Sequence, residues 1–140
     1  MSEGSTWAIA DEIRAAVQRW AYLYNTDVHR MIDECYAESF HVLCPGLLEI
    51  TDKAHFHEIE QAVLDADSTR RLHLTDVVAA DDRVVVECVL RGGGTRQWET
   101  FCCAILTFKD GQIINDHTYL DRTQWPGLRD HLREMRQEDE

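Results

Sequence analysis

The 140-residue sequence predicts a single α+β domain spanning residues 1–140. A curved, cone-shaped antiparallel sheet holds three helices on its concave side, and a short helix follows at the C-terminus. Three observations predict it. Apolar residues recur at helical spacing through the first half of the chain, as in Ile9, Ile13, Val17, Trp20 and Tyr24. After Asp67-Ser68 the period shortens to that of strands. Asp110-Gly111 then supplies the dipeptide of a two-residue hairpin turn.

Each element has its own justification. The first stripe marks one face of a helix of about 18 residues. Asn25-Thr26-Asp27 ends it, and Thr26 or Asp27 caps the next helix, whose apolar face is Val28, Met31, Ile32, Cys35 and Tyr36. Phe40 to Leu43 reads as a short strand, Cys44-Pro45-Gly46 as a turn, and Leu47 to Ile50 as a strand pairing back. Asp52 caps a third helix with Phe56, Ile59, Val63 and Ala66 on one side. Three strands follow over 71–79, 83–91 and 96–108, and a fourth over 112–121. Ala80-Asp81-Asp82 and Gly92-Gly93-Gly94 make turns between them. Pro126 suits the first turn of a last helix carrying Leu128, Leu132 and Met135. A curled sheet with helices in its hollow leaves a cavity, and such mouths are common ligand sites.

Composition narrows the function classes. Fourteen basic against 26 acidic residues give a net charge of −12, which argues against nucleic acid and anionic membrane surfaces as partners. No apolar run approaches a membrane span, and the opening MSEGSTW lacks a signal-peptide core, so the expected location is cytoplasmic. Cys35, Cys44, Cys88, Cys102 and Cys103 contain no CxxC pair and read as reduced core thiols. His55 and His57 sit two apart on a helix and point about 200° away from each other, so they cannot chelate one ion, and no metal site is expected. The Gly92-Gly93-Gly94 run precedes no helix and is a hairpin loop, not a phosphate cradle. No cofactor is implied.

The return strand after Asp110-Gly111 carries the chemistry. It reads Asn115-Asp116-His117-Thr118-Tyr119-Leu120-Asp121. Alternation puts Asp116, Thr118 and Leu120 on one face and His117 and Tyr119 on the other. The buried face therefore carries either Asp116 or His117, and a buried polar group needs a partner or a purpose. A carboxylate inside an apolar cone has a raised pKa and serves as acid or base near neutrality. Asp116 is the leading catalytic candidate. His73, with an imidazole that can shuttle protons, is the second. Trp20 and Tyr24 lie on the buried stripe of the first helix.

The whole chain resembles the nuclear transport factor 2-like superfamily in its SnoaL-like, polyketide-cyclase-like branch. Trp20-Ala-Tyr-Leu-Tyr-Asn25 looks like that branch's first-helix motif. The run DVHRMIDECYAESF from Asp27 to Phe40 looks like its second helix and strand entry. Phe108-Lys-Asp-Gly-Gln-Ile113 with Tyr119-Leu-Asp121 matches its closing hairpin. The resemblance implies an α+β cone, often a homodimer built through the sheet's outer face. A homodimer is also expected because Val84, Val86, Cys88 and Leu90 form an apolar strand face opposite Val85, Glu87 and Val89, and at least one apolar sheet face is too large to leave to water.

Carried over residue by residue, the resemblance excludes a ketosteroid isomerase. The first-helix tyrosine of those enzymes falls at Trp20, because Tyr36 then meets their second-helix tyrosine. Their basic aspartate falls at Cys44, before Pro45, and their second oxyanion donor at Ala104. In the related dehydratases, a first-helix tyrosine, an aspartate and a strand histidine fall at Trp20, Asn25 and His73, and a slip of one would substitute Leu72 and turn His73 to the other face. The cyclases' catalytic aspartate falls at Thr118, with Asp116 two residues earlier on the same face. Trp98, Thr100 and Cys102 share parity with Ala104 and are expected to line the pocket. The implied function is a small-molecule pocket protein, a cofactor-independent lyase, isomerase or cyclase moving a proton on a small apolar molecule. Asp116 and His73 would be catalytic, and Trp20, Tyr24, Cys44, Trp98, Thr100, Cys102 and Thr118 substrate-binding. The alternative is a non-catalytic ligand-binding or dimerisation domain of the same fold.

Overall fold

The computed structural model describes residues 2–94 and 96–125, with the backbone alone at 2–9 and 122. Helix α1 (Ser2–Thr26) and helix α2 (Val28–Cys35) lead into strand β1 (Tyr36–Cys44) and strand β2 (Leu48–Ile50). Helix α3 (Lys53–Ala66) precedes β3 (Arg71–Ala80), β4 (Arg83–Gly92), β5 (Trp98–Lys109) and β6 (Gln112–Leu120), and a 3₁₀ turn, Arg122–Gln124, closes the described chain. The helix expected after Pro126 lies outside the described residues.

The local signals act as physical chemistry requires. Ile13, Val17 and Trp20 are buried along α1. Asp27, not Thr26, caps α2 by accepting from the Arg30 amide at 3.2 Å. Thr26 instead donates its hydroxyl to the Tyr22 carbonyl one turn back. Asp52 caps α3 through the His55 amide at 2.8 Å. In the β5–β6 hairpin Lys109 faces Gln112, and Asp110 and Gly111 take φ of 53° and 80°. A side chain would meet nothing at Gly111, so glycine is there for its φ alone.

The six strands lie in the order β2-β1-β6-β5-β4-β3. The sheet is mixed rather than antiparallel, because β1 runs parallel to β6, with Val42 opposite Asp116. Alternation along a strand cannot reveal a partner some 70 residues away, so this pairing was not legible. β1 also begins at Tyr36, earlier than Phe40. The register slips between Tyr36 and His41, and within that slip Glu38-Ser39 breaks the apolar alternation that would mark a strand.

Val84, Val86, Cys88 and Leu90 of β4 face the buried side beneath the helices, with Cys102, Ala104 and Leu106 of β5. Asn25 at the end of α1 ties the helix to β3. Its Nδ2 donates to the Leu72 carbonyl at 2.9 Å and its Oδ1 accepts from the Leu72 amide at 2.7 Å. The other side of the sheet exposes Val78, Val85, Phe101 and Tyr119.

Candidate active site

Between the helices and the buried face of the sheet lies a cavity of about 120 Å³, open at its mouth. Trp20 and Tyr24 come to it from α1, Met31 from α2, and Phe56, Ile59, Glu60 and Val63 from α3. The sheet contributes Tyr36, Val42 and Cys44 from β1, Leu72 from β3, Cys88 and Leu90 from β4, Cys102 and Ala104 from β5, and Asp116, Thr118 and Leu120 from β6. Most of this wall is hydrocarbon, so the few polar atoms in it set its chemistry.

Asp116 is the centre of those atoms. Parity on β6 turns it inward, and it is 4% exposed. The Tyr36 hydroxyl donates to its Oδ2 at 2.6 Å and the Thr118 hydroxyl to its Oδ1 at 2.6 Å. The Trp20 indole N–H in turn donates to the Tyr36 hydroxyl at 3.1 Å. A chain of donors thus runs from α1 through β1 to β6. Burial pushes the Asp116 carboxyl above its ordinary value, against the hydrogen bonds of Thr118 and Tyr36 and the charge of His117, which pull it down. Burial, then the neighbouring Asp116, raises the Tyr36 phenol well above its ordinary value. Phe56 packs edge-on against the Tyr36 ring at 5.0 Å and fixes its plane. His117 points to the other face, where its ring meets His41.

Glu60 is a second carboxyl in the same wall. It follows Phe56 by one helical turn. Burial raises it to about 7, with Asp116 adding to the rise and Arg70 and His29 opposing it. Its Oε2 is buried without a hydrogen-bond partner among the described residues. Arg70 lies behind Tyr24, 1% exposed. Its guanidinium sits 3.9 Å from the Tyr24 ring centroid and Nη1 donates to the Tyr24 carbonyl at 3.1 Å.

Of the residues singled out from sequence, Trp20, Tyr24, Cys44, Cys102, Asp116 and Thr118 line the cavity together. Three do not. His73 is exposed on β3 opposite Val89, in an outer groove with Arg71, Arg91 and Trp98. Leu72 takes the inward position, the one-residue alternative that alternation allows. Asp116 and His73 are therefore not an acid/base pair. Thr100 has the expected inward parity and is buried, but its hydroxyl donates to the Asp121 carbonyl at 3.0 Å. Trp98 stacks on Trp125 at 5.0 Å and donates its indole N–H to Asp67 at 2.7 Å. The chain after β6 folds back over this end of β5, so Trp125 lines the cavity where Trp98 was expected.

Sequence reasoning passed over three polar groups. Tyr36 was read as part of an apolar helix stripe, although its spacing of sixteen from Trp20 was a signal. Glu60 lies four residues after Phe56, on the face already assigned as buried. Arg70 had no periodic signal. His57 bonds to Asp33 and His29. Cys88 and Cys102 face each other across β4 and β5 with sulfurs 2.6 Å apart. The Cys102 thiol is raised by the bond to Cys88 and by burial, so it stays protonated.

Comparison with known families matches residues 13–115 to the SnoaL-like domain. Comparison with curated proteins finds no matching sequence. Solved structures show the same fold. One, from Jannaschia sp., is described as a SnoaL-like polyketide cyclase. It aligns with a TM-score of 0.73 at 14% identity, over 81% of this chain and 88% of its own. Another, from Bacillus cereus, is described as a polyketide cyclase and aligns with a TM-score of 0.72 at 21% identity, over 84% and 80%. An LEH-like epoxide hydrolase of M. tuberculosis aligns with a TM-score of 0.68 at 14% identity, over 84% and 90%.

Proposed function

We propose, from the premise that this chain belongs to the SnoaL-like domain family, that it is a small-molecule pocket protein catalysing proton transfer on an apolar ligand. It would act without a cofactor, as a lyase, isomerase or cyclase. The observation that carries this reading is Asp116. It is a buried carboxyl in a hydrocarbon-walled cavity, with one hydroxyl aimed at each of its oxygens. Tyr36 and Thr118 hold the carboxylate in one orientation, so its remaining lone pairs take a proton from one direction. The raised affinity of the buried group for protons gives it a working range closer to neutrality than a surface aspartate has. Trp20 orients the Tyr36 hydroxyl and thereby commits that hydrogen to Asp116. The names of the similar structures, polyketide cyclase and epoxide hydrolase, fit chemistry on an apolar substrate in such a cavity.

Carboxyl-resolved NMR titration tests the reading without a known substrate. Asp116 is expected to titrate above about 3.9, the value of an unperturbed aspartate. An ordinary titration would leave the alternative, a non-catalytic ligand-binding domain. That second reading has its own support, since Trp20, Cys44 and Ala104 replace the donor and base positions of the best-understood relatives. We also propose that the protein is a cytoplasmic homodimer. Val78, Val85, Phe101 and Tyr119 give the outer sheet face an apolar surface, and Phe101 is 72% exposed. Light scattering at low micromolar concentration should report twice the 16.2 kDa chain mass; a strictly monomeric species would refute the dimer.

A further inference from the structure

Resting on the reading of the cavity as a small-molecule site, we propose that Glu60 is its second polar anchor, selecting uncharged ligands that present a hydroxyl on an apolar ring system and rejecting carboxylates. The two carboxyls of the cavity are not equivalent. Both oxygens of Asp116 already accept a hydroxyl, from Tyr36 and from Thr118. Glu60 has unfilled capacity, because its Oε2 is buried and accepts nothing from the described residues. A buried acceptor left without a donor is unfavourable, and a ligand hydroxyl placed there removes the penalty.

The position is built by the fold. Phe56, Ile59 and Val63 bury the inner face of α3, and Glu60 shares that face and lines the cavity from the helix side. Asp116 lines it from the sheet side. The charged and titratable groups acting on Glu60 come from every neighbouring element. They are Tyr24 on α1, His29 on α2, Tyr36 on β1, Arg70 before β3, and Asp116 on β6. Arg70 is the strongest cation among them, but it is held against the Tyr24 ring and does not line the cavity. A ligand carboxylate would therefore meet two carboxyls across a medium of low polarity, with no cation among the described residues of the wall to offset the repulsion.

Calorimetric titration with three naphthalene probes tests the proposal. 2-Naphthol carries the hydroxyl, naphthalene lacks it, and 2-naphthoate carries the anion on the same rings. At pH 8 the wild-type protein should bind 2-naphthol about tenfold or more tighter than naphthalene, the worth of one hydrogen bond to a charged acceptor. It should take up 2-naphthoate only as the pH falls below 7. Glu60→Met removes the acceptor and should erase the preference for 2-naphthol over naphthalene. Glu60→Gln keeps an acceptor without the charge and should bind 2-naphthoate at pH 8 more tightly than the wild type does, with Asp116 still opposing the anion. Equal wild-type affinities for 2-naphthol and naphthalene would overturn the proposal. So would a preference that survives Glu60→Met and disappears in Asp116→Asn; that result would leave Asp116 as the only anchor and the proposed function standing. Absence of binding by all three probes would overturn the proposal as well, while the Asp116 titration would still decide the proton-transfer reading separately.

Discussion

Glu60 makes the stability of this protein depend on pH in a calculable way. Its carboxyl is raised in the folded state from 4.5 to about 7. A carboxyl raised by folding binds its proton more tightly in the native state than in the unfolded chain. Its favourable contribution is complete below about 4.5 and is lost as the pH climbs through 7. The gap of about 2.5 pH units, at ~1.36 kcal/mol each, is worth ~3 kcal/mol in total. About 2.5 kcal/mol of that falls between pH 5 and pH 8 by the same linkage. Glu60→Gln removes the titration while keeping shape and polarity. Urea unfolding of both proteins across pH 5 to 8.5 should therefore show the variant gaining on the wild type by about that amount. Asp116, raised in the same direction, contributes to both curves, and because it interacts with Glu60 only the part of its titration independent of Glu60 cancels in their difference. Parallel curves would refute the claim that Glu60 is buried as a carboxyl in the native state.

Other outcomes follow from the donor chain and the core. Tyr36→Phe leaves the Trp20 N–H and one Asp116 oxygen without a partner, so it should cost about 1–3 kcal/mol in denaturant unfolding. The same substitution removes a bond that lowers Asp116, so the Asp116 titration should move further up by NMR. Trp20→Ala empties a site only 7% exposed and also strips the donor from Tyr36. Chemical denaturation should show a loss of about 3–5 kcal/mol, and a loss under about 1 kcal/mol would place Trp20 at the cavity mouth.

The candidate site was half legible before folding. Asp116 stood out because a strand with polar groups on both faces must bury one set, and alternation then grouped Asp116 with Thr118. The inward position of Trp20 followed from period, and that of Cys102 from its parity with Ala104, whose place the resemblance implies. His73 failed because its placement came from the resemblance and not from the period. The signal against it was present: Leu72 and Leu74 alternate with Arg71, His73 and Thr75, so period two turns the leucines inward and His73 outward, and the placement of His73 carried over from the dehydratases ran against it. Trp98 and Thr100 failed differently. Their parity was right, but the chain returning after β6 occupies the space in front of them.

Local sequence determined the helices with their caps, the hairpin turns and the apolar faces, since each depends on neighbours within a few residues. The class of fold followed from their order. Tertiary structure decided everything that depends on distant partners. The parallel pairing of β1 with β6 sets Val42 beside Asp116. That pairing carries Tyr36 to within hydrogen-bond distance of a carboxyl 80 residues away. The packing of α3 over the sheet brings Glu60 into the same wall. Burial raises both carboxyls, and burial is a property of the assembled cavity rather than of any segment that lines it.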